Sequence, residues 1–367
     1  NFFTGGTSSS TDIALTLASN NTVTVNNGGS GNGLLRINGA TGNTEALIFQ
    51  RGGTEASRIS HSNSADLVFS MGSSVTDAFK IASDGSLSTP TSGSNNVRLG
   101  ANAGNSITSG GSRNTLVGDE AGTNIGDNDD NTAFGYQALT ADTNGFKGTA
   151  VGRGALATQN YGSATDSYNV AVGHFAGNAV TTGVKNVLLG NNAGDSLTDA
   201  DQNVVVGYEA LATDTLGSKG TAIGTQALKS QNFSSATDHY NIGVGFRAGF
   251  SVTTGIQNTI MGSLAGVGLT DADYNVAFGY GALNNDQLGS KTVAIGTEAL
   301  QQQVFDSATD SHNTAVGYNA GKQVTTGVQN TFIGSLAGDA NTIGRENVAL
   351  GYNALGANVS GDRTVAI

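Results

Sequence analysis

Apolar residues along most of this chain come in short bursts, and each burst ends on a glycine. Residues Asn169–Gly177 show the pattern: Asn, then Thr or Val, any residue, a large apolar residue, Gly, two variable residues, Ala, and Gly or Leu. It returns from Asn96 almost to the last residue, with exceptions such as Gly148 in the first position and Ile242 in the second. The glycine falls at Gly100, Gly118, Gly135, Gly152, Gly173, Gly190, Gly207, Gly224, Gly245, Gly262, Gly279, Gly296, Gly317, Gly334 and Gly351. After a first step of 18, steps of 17 alternate with a step of 21 at every fourth rung, so the larger unit is 72 residues. A fixed period of this kind is the signature of a solenoid.

Each rung predicts a short β-strand, whose side chains alternate between two faces. The large residue before the glycine (Leu99, Val117, Phe134, Val151) and the β-branched residue two before it (Val97, Thr115, Thr132, Thr149) share a face, which is expected to fill the coil. The glycine turns the chain, since it takes φ > 0 without steric penalty. Ala103, Ala121, Ala138 and Ala155 end a second short segment and suit a thin interior. A rung of 17 residues fits two short strands and two turns, not a strand and a helix. The middle strand position is mostly Ala, but at 72-residue spacing it is Leu116, Leu188, Ile260 and Phe332. A solvated face is normally polar, so these four are expected to lie against a neighbouring chain, or else under a local loop.

The long step inserts four residues in segments 160–166, 232–238 and 304–310. Extra length is expected to leave the coil as a bulge, and such bulges often form a binding face. Each bulge carries an aromatic and an acid: Tyr161 with Asp166, Phe233 with Asp238, Phe305 with Asp310. That pair suits stacking on a sugar ring and accepting its hydroxyl protons, with Tyr168, Tyr240 and His312 in register to extend the surface. The other reading folds the aromatic back as a plug, packing being the commoner use of an apolar ring repeated in register.

Before the coil the pattern changes. Residues 1–33 are polar and rich in Gly, Ser and Asn, with alternating runs at 12–17 and 22–25 that predict a thin, extended β segment. Residues 34–90 carry alternating runs at 34–37, 46–50, 57–60, 66–70 and 78–81, separated by turn clusters, and predict a small antiparallel β module. Pro90 marks its end, and 91–367 is the solenoid. The chain begins without Met and stops one residue before its next expected glycine, which suggests a piece of a longer product.

Composition alters this picture little. Glycine contributes 55 of 367 residues and charged residues only 12%, a bias that strict periodicity explains better than disorder. The net charge of −12 argues against nucleic acid as a partner, because phosphate binding needs clustered Lys and Arg. No run of about 18 apolar residues exists to insert into a membrane. The absence of cysteine excludes disulfides and thiolate metal sites.

Rungs 131–139 (Asn-Thr-Ala-Phe-Gly-Tyr-Gln-Ala-Leu) and 313–321 (Asn-Thr-Ala-Val-Gly-Tyr-Asn-Ala-Gly) resemble the repeats of bacteriophage tail-fibre proteins that often end in an endosialidase-type intramolecular chaperone. They are also similar to the β-roll heads of trimeric autotransporter adhesins. The resemblance covers Asn96–Ile367. It implies a left-handed coil and an elongated homotrimer, with Leu116, Leu188, Ile260 and Phe332 packed between chains. It further implies an extracellular virion protein that contacts other tail proteins and attaches to a glycan or protein on the host surface. The alternatives are the head of a bacterial surface adhesin and, less favoured, a glycan-cleaving tailspike. Rungs of 17 and 21 residues are longer than adhesin-head rungs, and residues 1–367 contain no chaperone domain.

No catalytic constellation, cofactor site or metal site is expected. The histidines (His61, His174, His239, His312) are scattered, and the glutamates are not paired. His174 shares its post-glycine slot with Phe246 and Tyr318, which makes it an aromatic spacer. Segment 126–131 offers oxygens to Ca²⁺, but Asp and Asn in turns usually cap their own backbone. Lys147, Lys219, Lys291 and Arg363 form a column expected to pair with Asp142, Asp214 and Asp286 on the surface.

Overall fold

The computed structural model describes strands Glu45–Arg51, Thr54–His61, Leu67–Met71, Thr76–Ile81 and Leu87–Ser88, and all residues from 93 to 367. The expected strands within 1–37 lie outside these described residues. By its contacts the chain divides into two units, Asn1–Ser86 and Leu87–Ile367.

The five N-terminal strands form one sheet in sequence order. The first four pair antiparallel, as their alternating pattern predicts. Phe69 and Phe79 face each other across neighbouring strands with ring centroids 5.8 Å apart.

From Val97–Leu99 to Val365–Ala366, sixteen strands stack into one parallel sheet, one strand per rung. Register is strict: Ala150 pairs with Ala171, Ala171 with Leu188, and Leu188 with Val205. No helix occurs among the described residues, and none could cross a membrane. The glycine column closes each strand with φ between 121° and 142°. Its fixed identity has a second cause in the stacking distance, since a Cβ on Gly173 would sit 2.4 Å from the Gly190 carbonyl oxygen.

The two faces are the reverse of the expectation. The middle residue of each strand points inward, and the residues on either side of it point outward. Leu116, Leu188, Ile260 and Phe332 are fully buried within a single chain, so they have no surface to offer a neighbour. In the rung at 276–278, Ala277 is 0% exposed and Phe278 51%. The reason is length: a three-residue strand bent at both ends has room to aim only one side chain into so thin a coil.

That interior is filled by volume matching. Where the fourth residue after the column glycine is Leu (Leu139, Leu156, Leu211, Leu228, Leu283, Leu300), the inward strand residue is Ala or Val. Where it is Gly, a large residue returns three positions later, as at Val180, Leu197, Val252 and Leu269. One such rung in each 72-residue unit also carries the large inward residue. A Cβ on Gly338 would lie 2.6 Å from the Phe332 ring, so Gly there makes the room that Phe332 occupies. Asn341 stands where earlier units have Ile125, Leu197 and Leu269, beside the column's largest side chain.

The asparagine that opens each rung has its own structural task. The Asn114 side chain accepts from the Asn131 N–H at 2.9 Å and donates to the Asn128 carbonyl at 2.7 Å. Asn169, Asn186 and Asn203 continue the same ladder. These bonds satisfy backbone groups at the corner that neither strand can reach.

Candidate functional site

The bulges resolve in favour of the plug. Tyr161, Phe233 and Phe305 are only 4%, 5% and 6% exposed, and this corrects their assignment as receptor contacts. An apolar ring gains more by filling the widened coil than by standing in water. The added residues pair as extra two-residue parallel strands, Thr165–Asp166 against Gly145–Phe146 and its equivalents in the next two units.

Beneath each plug lies a buried polar seat, and its members compensate one another from unit to unit. In the first, the Tyr161 hydroxyl donates to the Gly183 carbonyl at 2.9 Å, beside Gly148 and Ser167. In the second, Phe233 lacks that hydroxyl and stacks at 5.5 Å on His239, whose ring takes the space over Gly220. The Asn241 N–H donates to His239 Nδ1 at 3.0 Å. In the third, Phe305 is accompanied by Thr292 and Ser311, whose hydroxyls bond to each other at 2.5 Å. Gln159, Gln231 and Gln303 donate to the carboxylates of Asp142, Asp214 and Asp286 in all three.

Those aspartates are therefore not the surface partners of the lysine column. Burial pushes the carboxyls of Asp142 and Asp286 up, against the pull of the Gln and backbone N–H donors. Burial also holds the His239 imidazole down at about 4, with Asp214 and Asp238 opposing. The lysines pair instead with the bulge acids: Lys147 with Asp166 at 2.6 Å, Lys219 with Asp238, and Lys291 with Asp310. Tyr168 donates to Asp166 at 3.0 Å, and Lys147 lies 5.2 Å from the Tyr168 ring. These acids are exposed, and one oxygen of each, Oδ2, is engaged by the chain itself. Arg363 pairs with Glu346.

The acidic turn at 126–131 is drawn to Arg113, which bonds to Asp130 at 2.6 Å and holds that carboxyl below its usual range. Among the described residues no group of three His, Cys, Asp or Glu is placed to hold a metal ion.

The face left without an internal partner is the outer side of the sixteen-stranded sheet. Val97, Leu99, Phe134, Val172, Ile223, Phe278, Ile295, Ile333 and Leu350 lie on it in a continuous ladder, each at least a third exposed. Its length is ~75 Å and its width ~10 Å, from strand spacing and rise. Soluble monomers rarely leave so long an apolar face open.

Next to this ladder, one residue past the glycine, runs a column that sequence reasoning missed. Tyr136, His174, Tyr208, Phe246, Tyr280, Tyr318 and Tyr352 are exposed on alternate rungs. Arg153, Asn191, Thr225, Ser263, Thr297 and Ser335 occupy the rungs between. The 72-residue period relates only every second ring, because rings recur at half that unit, every two rungs. The signal was available by reading the post-glycine position rung by rung. Arg153 lies 5.8 Å from the Tyr136 ring, and the His174 N–H donates to Asn191 Oδ1 at 3.0 Å.

Comparison of the chain with protein-family models, with curated proteins and with solved structures gave no match.

Proposed function

We propose that the chain is the rod-forming part of a structural and adhesive fibre of a bacteriophage virion, a homotrimer wound left-handed that attaches the particle to the bacterial surface. The observation that carries the reading is the unbroken apolar ladder along the outer face of the coil. Only a partner with the same rise per rung can cover such a ladder in register along its length, and another copy has that rise. The face offers ~750 Å² per chain from these dimensions, close to the ~800 Å² that each partner contributes to a stable interface. Cyclic closure lets every chain present the same ladder to the others. The interchain contact thus falls on Phe134, Phe278 and Leu350 and their column, in place of Leu188 and its column. The repeats' resemblance to tail fibres supplies the number three and the biological setting, and the chain acts by binding and not by catalysis.

Light scattering tests the assembly: the expected mass is three times 36.7 kDa, and a single-chain mass overturns it. Sedimentation of labelled protein with intact bacteria tests attachment. Saturable binding to some strains is expected, and its absence from every strain overturns the role.

A further inference from the structure

The ring column has a period that packing inside the chain does not require. Its rings stand outward at the bend, 41% to 77% exposed for the tyrosines. The chain's own interior is filled by other positions. Rings recur every two rungs, hence at ~10 Å along the sheet. Between the four central rings lie short hydroxyl side chains, Thr225, Ser263 and Thr297, and nearer the N-terminal end the same slot holds Asn191 and Arg153. A chain–chain seam at this column calls for small apolar residues between its knobs, as the coil uses Ala in its own core. Polar hydrogen-bonding groups alternating with flat rings suit a ligand that alternates apolar faces with hydroxyl edges.

We infer that the post-glycine column, centred on Tyr208, Phe246, Tyr280 and Tyr318, is a binding track for an extended, neutral, β-1,4-linked polysaccharide. In such a chain each sugar is turned over relative to the last, so the same face returns after a disaccharide, a distance matching the ring period. Pyranose C–H faces stack on aromatic rings, and the ring hydroxyls reach the Asn, Thr and Ser side chains between them. A neutral glycan is indicated by charge: the chain carries −12 overall, and Glu209 and Glu298 follow the track, held by Lys229 and Lys322. Those two lysines are therefore already engaged, and the track's arginines are held by its own side chains, Arg247 by Gln226 and the Phe250 ring and Arg153 by His174 and the Phe175 ring, which disfavours an anionic chain. The assignment rests on the attachment role proposed above and names its ligand.

Affinity electrophoresis with hydroxyethyl cellulose in the gel, glycogen as the α-linked control, and a chitin pull-down test the track. Wild-type protein is expected to be retarded by the β-linked glucan or retained by chitin, and not retarded by glycogen. A Phe246→Ser/Tyr280→Ser double variant is expected to bind ~10-fold more weakly. A Ser263→Tyr/Tyr280→Ser variant keeps the number of rings but moves one by a single rung, and is expected to bind more weakly than wild type. Equal binding by that variant overturns the spacing argument. A changed oligomer mass in the Ser double variant assigns the rings to a chain–chain seam and overturns the track. Binding to intact bacteria without binding to either β-linked glycan refutes the ligand alone, whereas loss of both refutes the attachment role as well.

Discussion

Ala277 and Phe278 are neighbours in one strand, yet they belong to columns under different constraints. The Ala277 column faces the coil interior, where the largest changes in size are answered nearby: Leu188 by Gly194, Phe332 by Gly338, Ala133 by Leu139. The Phe278 column faces outward and moves freely among Val, Leu, Ile, Met and Phe from rung to rung. Volume is fixed on the inside because the interior is close-packed and thin. On the outside only apolarity is maintained, and no contact within the chain demands it. An apolar column without internal volume matching is what the proposed interchain contact requires.

The sharpest break of that comparison places the same charge on both columns. Ala277→Asp buries an unpaired carboxylate and is expected to cost ~4 kcal/mol or more, read as a large fall in the denaturation midpoint. Phe278→Asp is expected to leave the far-UV circular dichroism of the coil intact while lowering the mass by light scattering.

A pH titration probes the interior where it is polar. His239 has a folded pKa of about 4 against 6.5 when free. The unfolded chain therefore takes up the proton first, and stability falls as pH drops from 6.5 toward 4, by on the order of 3 kcal/mol. The Gly220→Thr/His239→Ser variant, which copies Thr292 and Ser311 of the next unit, is expected to remove that slope in chemical denaturation. Asp142 and Asp286 act oppositely, their contribution being lost as pH rises through their elevated folded values. They are common to both proteins and cancel in the difference.

Volume matching predicts a coupling. Gly338→Ala alone is expected to cost ~1–3 kcal/mol, since it meets the Phe332 ring at a position where φ is +60°. The cost of the double variant with Phe332→Leu is expected to fall short of the sum of the two single costs by ~1 kcal/mol in a double-mutant cycle. The matching substitution on the outer column, Ile333→Leu, is expected to show no coupling to Gly338→Ala.

The smallest effect belongs to the charged surface. Lys219→Met removes an exposed pair with Asp238. Its expected cost in thermal unfolding is under ~1 kcal/mol and diminishes further in high salt.

The period of the glycines determined the coil, its rungs and its 72-residue unit, because a stacked parallel sheet places equivalent residues at equal heights and any slip shows in the sequence. The alternation within each rung determined that both strand faces are apolar. Which face is inside was decided only in three dimensions. A three-residue strand reads out-in-out or in-out-in with equal hydrophobic periodicity, and the bends at its ends settle the choice by admitting one side chain. The buried seats were hidden for a related reason: Asp142, Gln159 and His239 look like surface residues until Gly148 and Gly220 open space for their partners. The ring column was legible, since its alternation is written one residue after each glycine. Its exposure was not legible, because a tyrosine at a bend can fold inward, as Tyr161 does, and only the space available around it decides.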